Sequence, residues 1–129
     1  MRSRYAAYAN KLAPYIYRTI HPNHEDRKRP EPDVMREIRD AVSTLRFMQL
    51  SVLDREEPSD GGLARVLFYA RVFEKGQNRS FVELSDFLHD GTGWRYLQGQ
   101  QAAASRLKNP EQLDIPKFRT LLSSLGKTN

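Results

Sequence analysis

Leu63-Ala64-Arg65-Val66-Leu67-Phe68-Tyr69-Ala70-Arg71-Val72-Phe73-Glu74 is the stretch that decides the fold. Its period is two. Val66, Phe68, Ala70 and Val72 fall on one face, and Arg65, Leu67, Tyr69, Arg71 and Phe73 on the other. Both faces carry apolar groups, so the strand is expected inside a sheet that is covered on both sides. Downstream, Lys75-Gly76-Gln77-Asn78 reads as a turn, Ser80 to Leu88 as the next strand, and Asp90-Gly91-Thr92-Gly93 as another turn. Trp94 to Gln98 is expected to form a final short strand. Upstream, Glu56 to Gly62 holds Pro58, Ser59, Asp60, Gly61 and Gly62 and reads as a hairpin loop. Phe47 to Leu53 before it alternates, with Met48, Leu50 and Val52 on one face.

Before these strands the period is 3.6. Tyr5, Tyr8, Ala9 and Leu12 fall at i, i+3, i+4 and i+7, the stripe of a first helix. Pro14 suits the first turn of a second, where its missing N–H costs nothing. Tyr15, Ile16 and Ile20 give that helix a buried side, and His21-Pro22 ends it. Pro22 to Pro32 is charged and proline-rich, a loop. A third helix starts near Pro32, with Val34, Ile38, Ala41, Val42 and Leu45 in step and Glu31 and Asp33 at the positive end of its dipole. After the strands, Gln101 to Leu107 and Pro116 to Leu125 read as helices separated by Asn109-Pro110. Helices followed by hairpin-linked strands predict an α+β fold, with the helices on one face of a curved antiparallel sheet. A small ligand could bind between the concave face and the helices.

The chain has 129 residues, 39% of them hydrophobic, and suits one domain with a real core. It has no cysteine, which excludes disulfides, thiolate zinc sites and cysteine nucleophiles. No apolar run approaches the roughly 20 residues a membrane helix requires. The opening MRSRYAAYAN lacks the apolar core of a signal peptide, so the expected location is cytoplasmic, without a membrane. The net charge of +5 is uneven, with basic ends flanking an acidic and a neutral stretch. A pI near 9.7 permits acidic partners. Nucleic-acid binding by the basic termini is the weaker reading, because the densest run, Arg27-Lys28-Arg29, sits between Glu25-Asp26 and Glu31.

Three segments carry a family resemblance: Met1-Arg2-Ser3-Arg4-Tyr5-Ala6-Ala7-Tyr8, Ile20-His21-Pro22, and Ser80 to Gly99. The last contains Glu83-Leu84-Ser85-Asp86-Phe87 and Trp94-Arg95-Tyr96-Leu97-Gln98-Gly99. In order and spacing the chain resembles the YchJ family, UPF0225, in its central domain, over residues 1–99. The resemblance implies an NTF2-like, cystatin-type α+β fold: a curved antiparallel sheet with N-terminal helices on its concave face. It also implies a bacterial protein of uncharacterised function. Members of that family typically carry Cys-rich SEC-C motifs associated with zinc and protein contacts. With no Cys here, either the chain is a trimmed relative or such a module was omitted. Residues 100–129 are expected as a C-terminal helical extension of the same domain.

Glu83, Ser85 and Phe87 alternate along one strand and so share a face. A carboxylate facing a core requires a partner. Arg2, Arg4 and Arg71 are the cations on offer, so the expectation is a buried ion pair that pins the first helix to the sheet. The cluster expected at the cavity is Arg4, Tyr5, Tyr8, Arg71, Glu83, Ser85, Trp94 and Tyr96. Its main reading is a module that binds a small ligand or a protein. The alternative is an isomerase or cyclase with Glu83 as base and Tyr5 or Tyr96 as hydrogen-bond donor, as the resemblance to the wider fold family allows. No motif specifies that set, so no catalytic residue is assigned. His21 and His24 are three apart in a proline-flanked loop, and His89 is distant. Even with Glu25 or Asp26 they are not read as a metal site, and no cofactor is implied. Phe118, Leu121, Leu122 and Leu125 form a stripe on the last helix. It could pack on the sheet's other face or join a partner helix. A homodimer through that helix or through the open sheet face competes with internal packing.

Overall fold

In the computed structural model, which describes residues 1–58 and 62–126, three helices precede the sheet and one follows it. They are α1 (Arg2–Ala9), α2 (Ala13–Arg18), α3 (Glu31–Ser43) and α4 (Ile115–Gly126). The strands are β1 (Leu45–Glu56), β2 (Ala64–Glu74), β3 (Gln77–Asn78), β4 (Phe81–His89) and β5 (Trp94–Ala103). The main sheet runs β1-β2-β4-β5, antiparallel throughout, and the two-residue β3 pairs with β2. Strand β2 is therefore interior, as its two apolar faces require. Lys75 and Gly76 both have positive φ, which lets β2 turn back into β3 in two residues. Pro58 and Gly62 of the expected β1–β2 loop are described; Ser59, Asp60 and Gly61 lie outside the described residues. Among the described residues no helix is long and apolar enough to cross a membrane.

The two faces of the sheet bury different things. On the convex face Leu67, Tyr69, Val82 and Leu84 pack with Ala102, Leu113, Ile115 and Phe118, and Leu121, Leu122 and Leu125 lie against them. The stripe of α4 thus packs inside the chain, against the convex face of the sheet. The start of α4 is fixed by two carboxylates. Asp54 of β1 accepts from the Ile115 N–H (2.9 Å), and Asp114 accepts from the Lys117 N–H (2.9 Å). On the helical side Ala7, Ile16 and Val42 form one cluster, and Tyr17, Ile20 and Val34 another.

Three sequence expectations are corrected. The segment Gln101 to Leu107 is not a helix. Strand β5 continues to Ala103, and only a 3-10 turn follows at Ala104–Arg106. The Gln- and Ala-rich composition favours helix locally, but Leu84 and Glu83 of β4 offer Gln100 and Gln101 a ladder, and the ladder wins. The buried face of α1 is also different. The helix stops at Ala9, so Leu12 lies beyond it and is 50% exposed, whereas Arg4 and Ala7 are buried. In β1 the register shifts between Phe47 and Gln49 and again between Val52 and Asp54. A bulge breaks simple alternation, and Met48, at the first shift, is exposed while its neighbour Phe47 lines the cavity described below.

Candidate functional site

Between α1 and the concave face lies a cavity of about 310 Å³. Its walls are chiefly aromatic: Phe47 from β1, Phe68 from β2, and Phe81 and Phe87 from β4, with Tyr5 and Tyr8 from α1. Tyr5 meets Phe47 edge-on at 5.6 Å between centroids, and Tyr8 meets it at 6.0 Å. Alternation on β2 and β4 produces the floor. Phe68 sits opposite Glu83, Val66 opposite Ser85 and Ala70 opposite Phe81, so one parity of both strands faces inward.

The polar centre is Glu83, buried on β4. Its Oε2 accepts from the Ser85 hydroxyl, its Oε1 accepts from the Gln101 amide (2.6 Å), and the Tyr96 hydroxyl reaches the same space over Gly99. All four residues line the cavity. Gln101 stands directly opposite Glu83 in the β4–β5 ladder, and Gly99 stands opposite Ser85. Gly99 has no side chain for a structural reason: a Cβ there would lie 2.5 Å from Glu83 Oε2 and 2.6 Å from the Tyr96 hydroxyl. The glycine leaves the space in which the carboxylate and the phenol meet.

Arg4 is buried in the same wall but does not pair with Glu83. Its Nη1 donates to the Ile16 carbonyl (3.0 Å) and to the Thr19 hydroxyl, tying α1 to the end of α2. Its guanidinium lies over the Tyr96 ring, 4.7 Å from the centroid. Tyr96 therefore stands between cation and carboxylate, ring to one and hydroxyl to the other. Its backbone is fixed as well. The Tyr96 N–H donates to the Thr19 carbonyl (2.8 Å), and its carbonyl accepts from the His21 N–H (2.7 Å), so the Ile20-His21-Pro22 segment closes onto β5. Burial, with the Glu83 charge, pushes the Tyr96 phenol well above the ordinary tyrosine range; burial also raises Tyr8 and Tyr5. These phenols stay protonated across the physiological range and can donate hydrogen bonds.

The structure thus brings together Arg4, Tyr5, Tyr8, Glu83, Ser85 and Tyr96 of the expected cluster. It does not bring in Arg71 or Trp94. Arg71 has the opposite parity on β2, stacks over Tyr69 (5.3 Å) and faces Glu111 at 3.6 Å. Trp94 is 46% exposed and packs edge-on against His89, outside the cavity. The expected ion pair is corrected too, because the donors found on Glu83, Ser85 and Gln101, are neutral. Gln101, Gly99 and Thr19 are absent from the expected cluster. Once β5 is extended to Ala103, its register places Gln101 on Glu83, and that pairing is the signal that could have found it. Arg27, from the densest basic run, donates to the Tyr17 (3.0 Å), Arg18 (3.3 Å) and Ile20 (2.9 Å) carbonyls and caps the end of α2. Arg29 pairs with Glu37 and Asp26. His21 and His24 each accept a backbone N–H at Nδ1, from Asn23 and Asp26. Among the described residues no group of three or more His, Cys, Asp or Glu is placed to hold a metal ion.

Comparison with known proteins converges on one family. Residues 1–99 match the family model described as the YchJ middle NTF2-like domain. A UPF0225 protein of Enterobacter sp. (strain 638) is 28% identical over 106 residues, spanning 82% of this chain and 66% of its own length. The solution structure of RPA3114, a SEC-C motif containing protein from Rhodopseudomonas palustris, is similar with a TM-score of 0.63 and 35% identity. That likeness covers 78% of this chain and 73% of the other.

Proposed function

We propose, from the premise that this chain belongs to the YchJ family through its middle NTF2-like domain, that it is a binding module for a small ligand held in the aromatic cavity over Glu83. One observation carries this reading. A buried carboxylate with a satisfied hydrogen-bond set opens into an apolar cavity of about 310 Å³, at the small end of the roughly 300–1,000 Å³ common for ligand sites.

The site holds better than it reacts. A general base must have its carboxylate free to take the substrate's proton. Both oxygens of Glu83 already accept, Oε2 from Ser85 and Oε1 from Gln101, so each is a weaker base than a free carboxylate oxygen. The test is a small-molecule fragment screen by protein-observed NMR. Shifts confined to residues of the cavity support the reading. A library that leaves Phe47, Phe68, Phe81 and Glu83 unperturbed while the fold is intact overturns it.

A further inference from the structure

The charges around the cavity narrow the class of ligand. This step rests on the ligand-binding reading above and adds a statement about ligand chemistry. Glu83 and Arg4 line the same cavity, one buried anion and one buried cation. They are separated by Tyr96, whose hydroxyl serves the carboxylate and whose ring face serves the guanidinium. Each charge therefore has its own hydrogen-bonding or ring partners, and the pair cancels. Met1 also lines the cavity, and burial, with the Arg4 and Arg2 charges, lowers the pKa of its amino group and so favours the neutral amine. A charged ligand would bring a further, uncompensated charge in among phenylalanines, at a desolvation cost.

Hydrogen-bond capacity narrows the class further. A carboxylate offers about four lone-pair positions. Ser85 and Gln101 use two on Glu83, one on each oxygen, and the Tyr96 hydroxyl crowds a third. What remains is one strong acceptor position. The walls supply ring faces and edges from Phe47, Phe68, Phe81 and Phe87.

We infer that the cavity selects an uncharged, compact, ring-sized molecule carrying one hydroxyl or N–H donor, with the ring among the phenylalanines and the donor on Glu83. Cavities as small as about 150 Å³ can admit a benzene ring, so a monocyclic ligand fits the volume here.

Four probes of one size separate the possibilities: p-cresol, toluene, benzylamine as its cation, and benzoate, each titrated into the intact chain near neutral pH by NMR or calorimetry. The expected order places p-cresol first, roughly tenfold to a hundredfold tighter than toluene, the value of one hydrogen bond to a charged acceptor. Both ions should bind more weakly than toluene. If benzylammonium or benzoate matches p-cresol, charge compensation by Arg4 and Glu83 is wrong. If toluene matches p-cresol, the free acceptor position is wrong. In either case the cavity still binds, and the ligand-binding reading survives. If none of the four shifts any cavity resonance, that reading fails as well. Glu83→Gln supplies a second check: its neutral amide oxygen is a weaker acceptor, so the preference for p-cresol over toluene should fall to roughly tenfold or less while toluene binding stays within about twofold. Should that variant fail to fold, the four-probe series on the unaltered protein still decides.

Discussion

Gly99→Ala should destabilise the protein, although the bare substitution points the other way. Glycine inside a strand costs roughly 0.5–1 kcal/mol relative to alanine through its extra backbone freedom. Gly99 does not have a positive φ, so alanine meets no backbone penalty there. With nothing above it, the change would be neutral or stabilising. The new methyl, however, would sit 2.5 Å from Glu83 Oε2 and 2.6 Å from the Tyr96 hydroxyl, closer than a carbon can approach. Either the carboxylate moves off Ser85 and Gln101, or β5 shifts against β4. Losing one or two hydrogen bonds to a charged group costs about 1.5–3 kcal/mol each. Set against the strand gain, the expected net loss is about 2–4 kcal/mol. For a chain of this length that lowers Tm by roughly 10 °C.

The assay is urea or thermal unfolding followed by circular dichroism, with Gln100→Ala, an exposed change on the same strand, as a control expected within about 0.5 kcal/mol of the parent. A double-mutant cycle locates the cause. In a Glu83→Ala background the clash with the carboxylate is gone, so Gly99→Ala should cost at least 1 kcal/mol less than it does alone. A Gly99→Ala protein as stable as the parent, or an additive cycle, would refute the placement of Glu83 and Tyr96 over Gly99.

Two further outcomes follow from the same structure. Phe118 is fully buried where α4 meets β2 and β4. Phe118→Ala should cost about 3–5 kcal/mol in denaturant melts, and a loss below 1 kcal/mol would show that α4 does not anchor the convex face. Asp90 caps its turn by accepting from the Thr92 N–H and hydroxyl and the Gly93 N–H, with Arg95 at 2.9 Å. These bonds, led by the Thr92 N–H, hold its carboxyl well below the usual carboxylate range. A depressed carboxylate contributes stability that is present above the unfolded value, near pH 4, and is lost as pH falls through the folded value. The stability gap between the parent and Asp90→Asn should therefore be largest near neutrality and shrink in acid. A gap that is constant or grows on acidification contradicts the cap.

Much of this was legible in the residues. The two-residue period of Leu63 to Glu74 places an interior strand. The order of periods gives helices before a hairpin-built sheet. Alternation alone puts Glu83 and Ser85 on one face with Phe87. Each is a local property, since backbone geometry fixes which neighbours share a face. The opening octet and the Trp94 to Gly99 segment carried the resemblance that the family match over residues 1–99 then established.

What required the fold was everything that depends on which strand meets which. Glu83 had to find a partner, but sequence proximity offered cations, and the ladder offered Gln101 and a gap at Gly99. Arg4 looked like a counter-ion and became a tie between two helices that also faces Tyr96. Arg71, two residues beyond Tyr69 on β2, shares that residue's convex face, and Trp94 lies outside the cavity. Helix propensity in Gln101 to Leu107 yielded to the open edge of β4, because a ladder of backbone hydrogen bonds outweighs a few tenths of a kcal/mol per residue. The sequence by itself determined the elements and the carboxylate that must be satisfied. Only the tertiary structure decided how it is satisfied, and that an aromatic cavity is left beside it, because register and bulges are set by long-range pairing that no local pattern records.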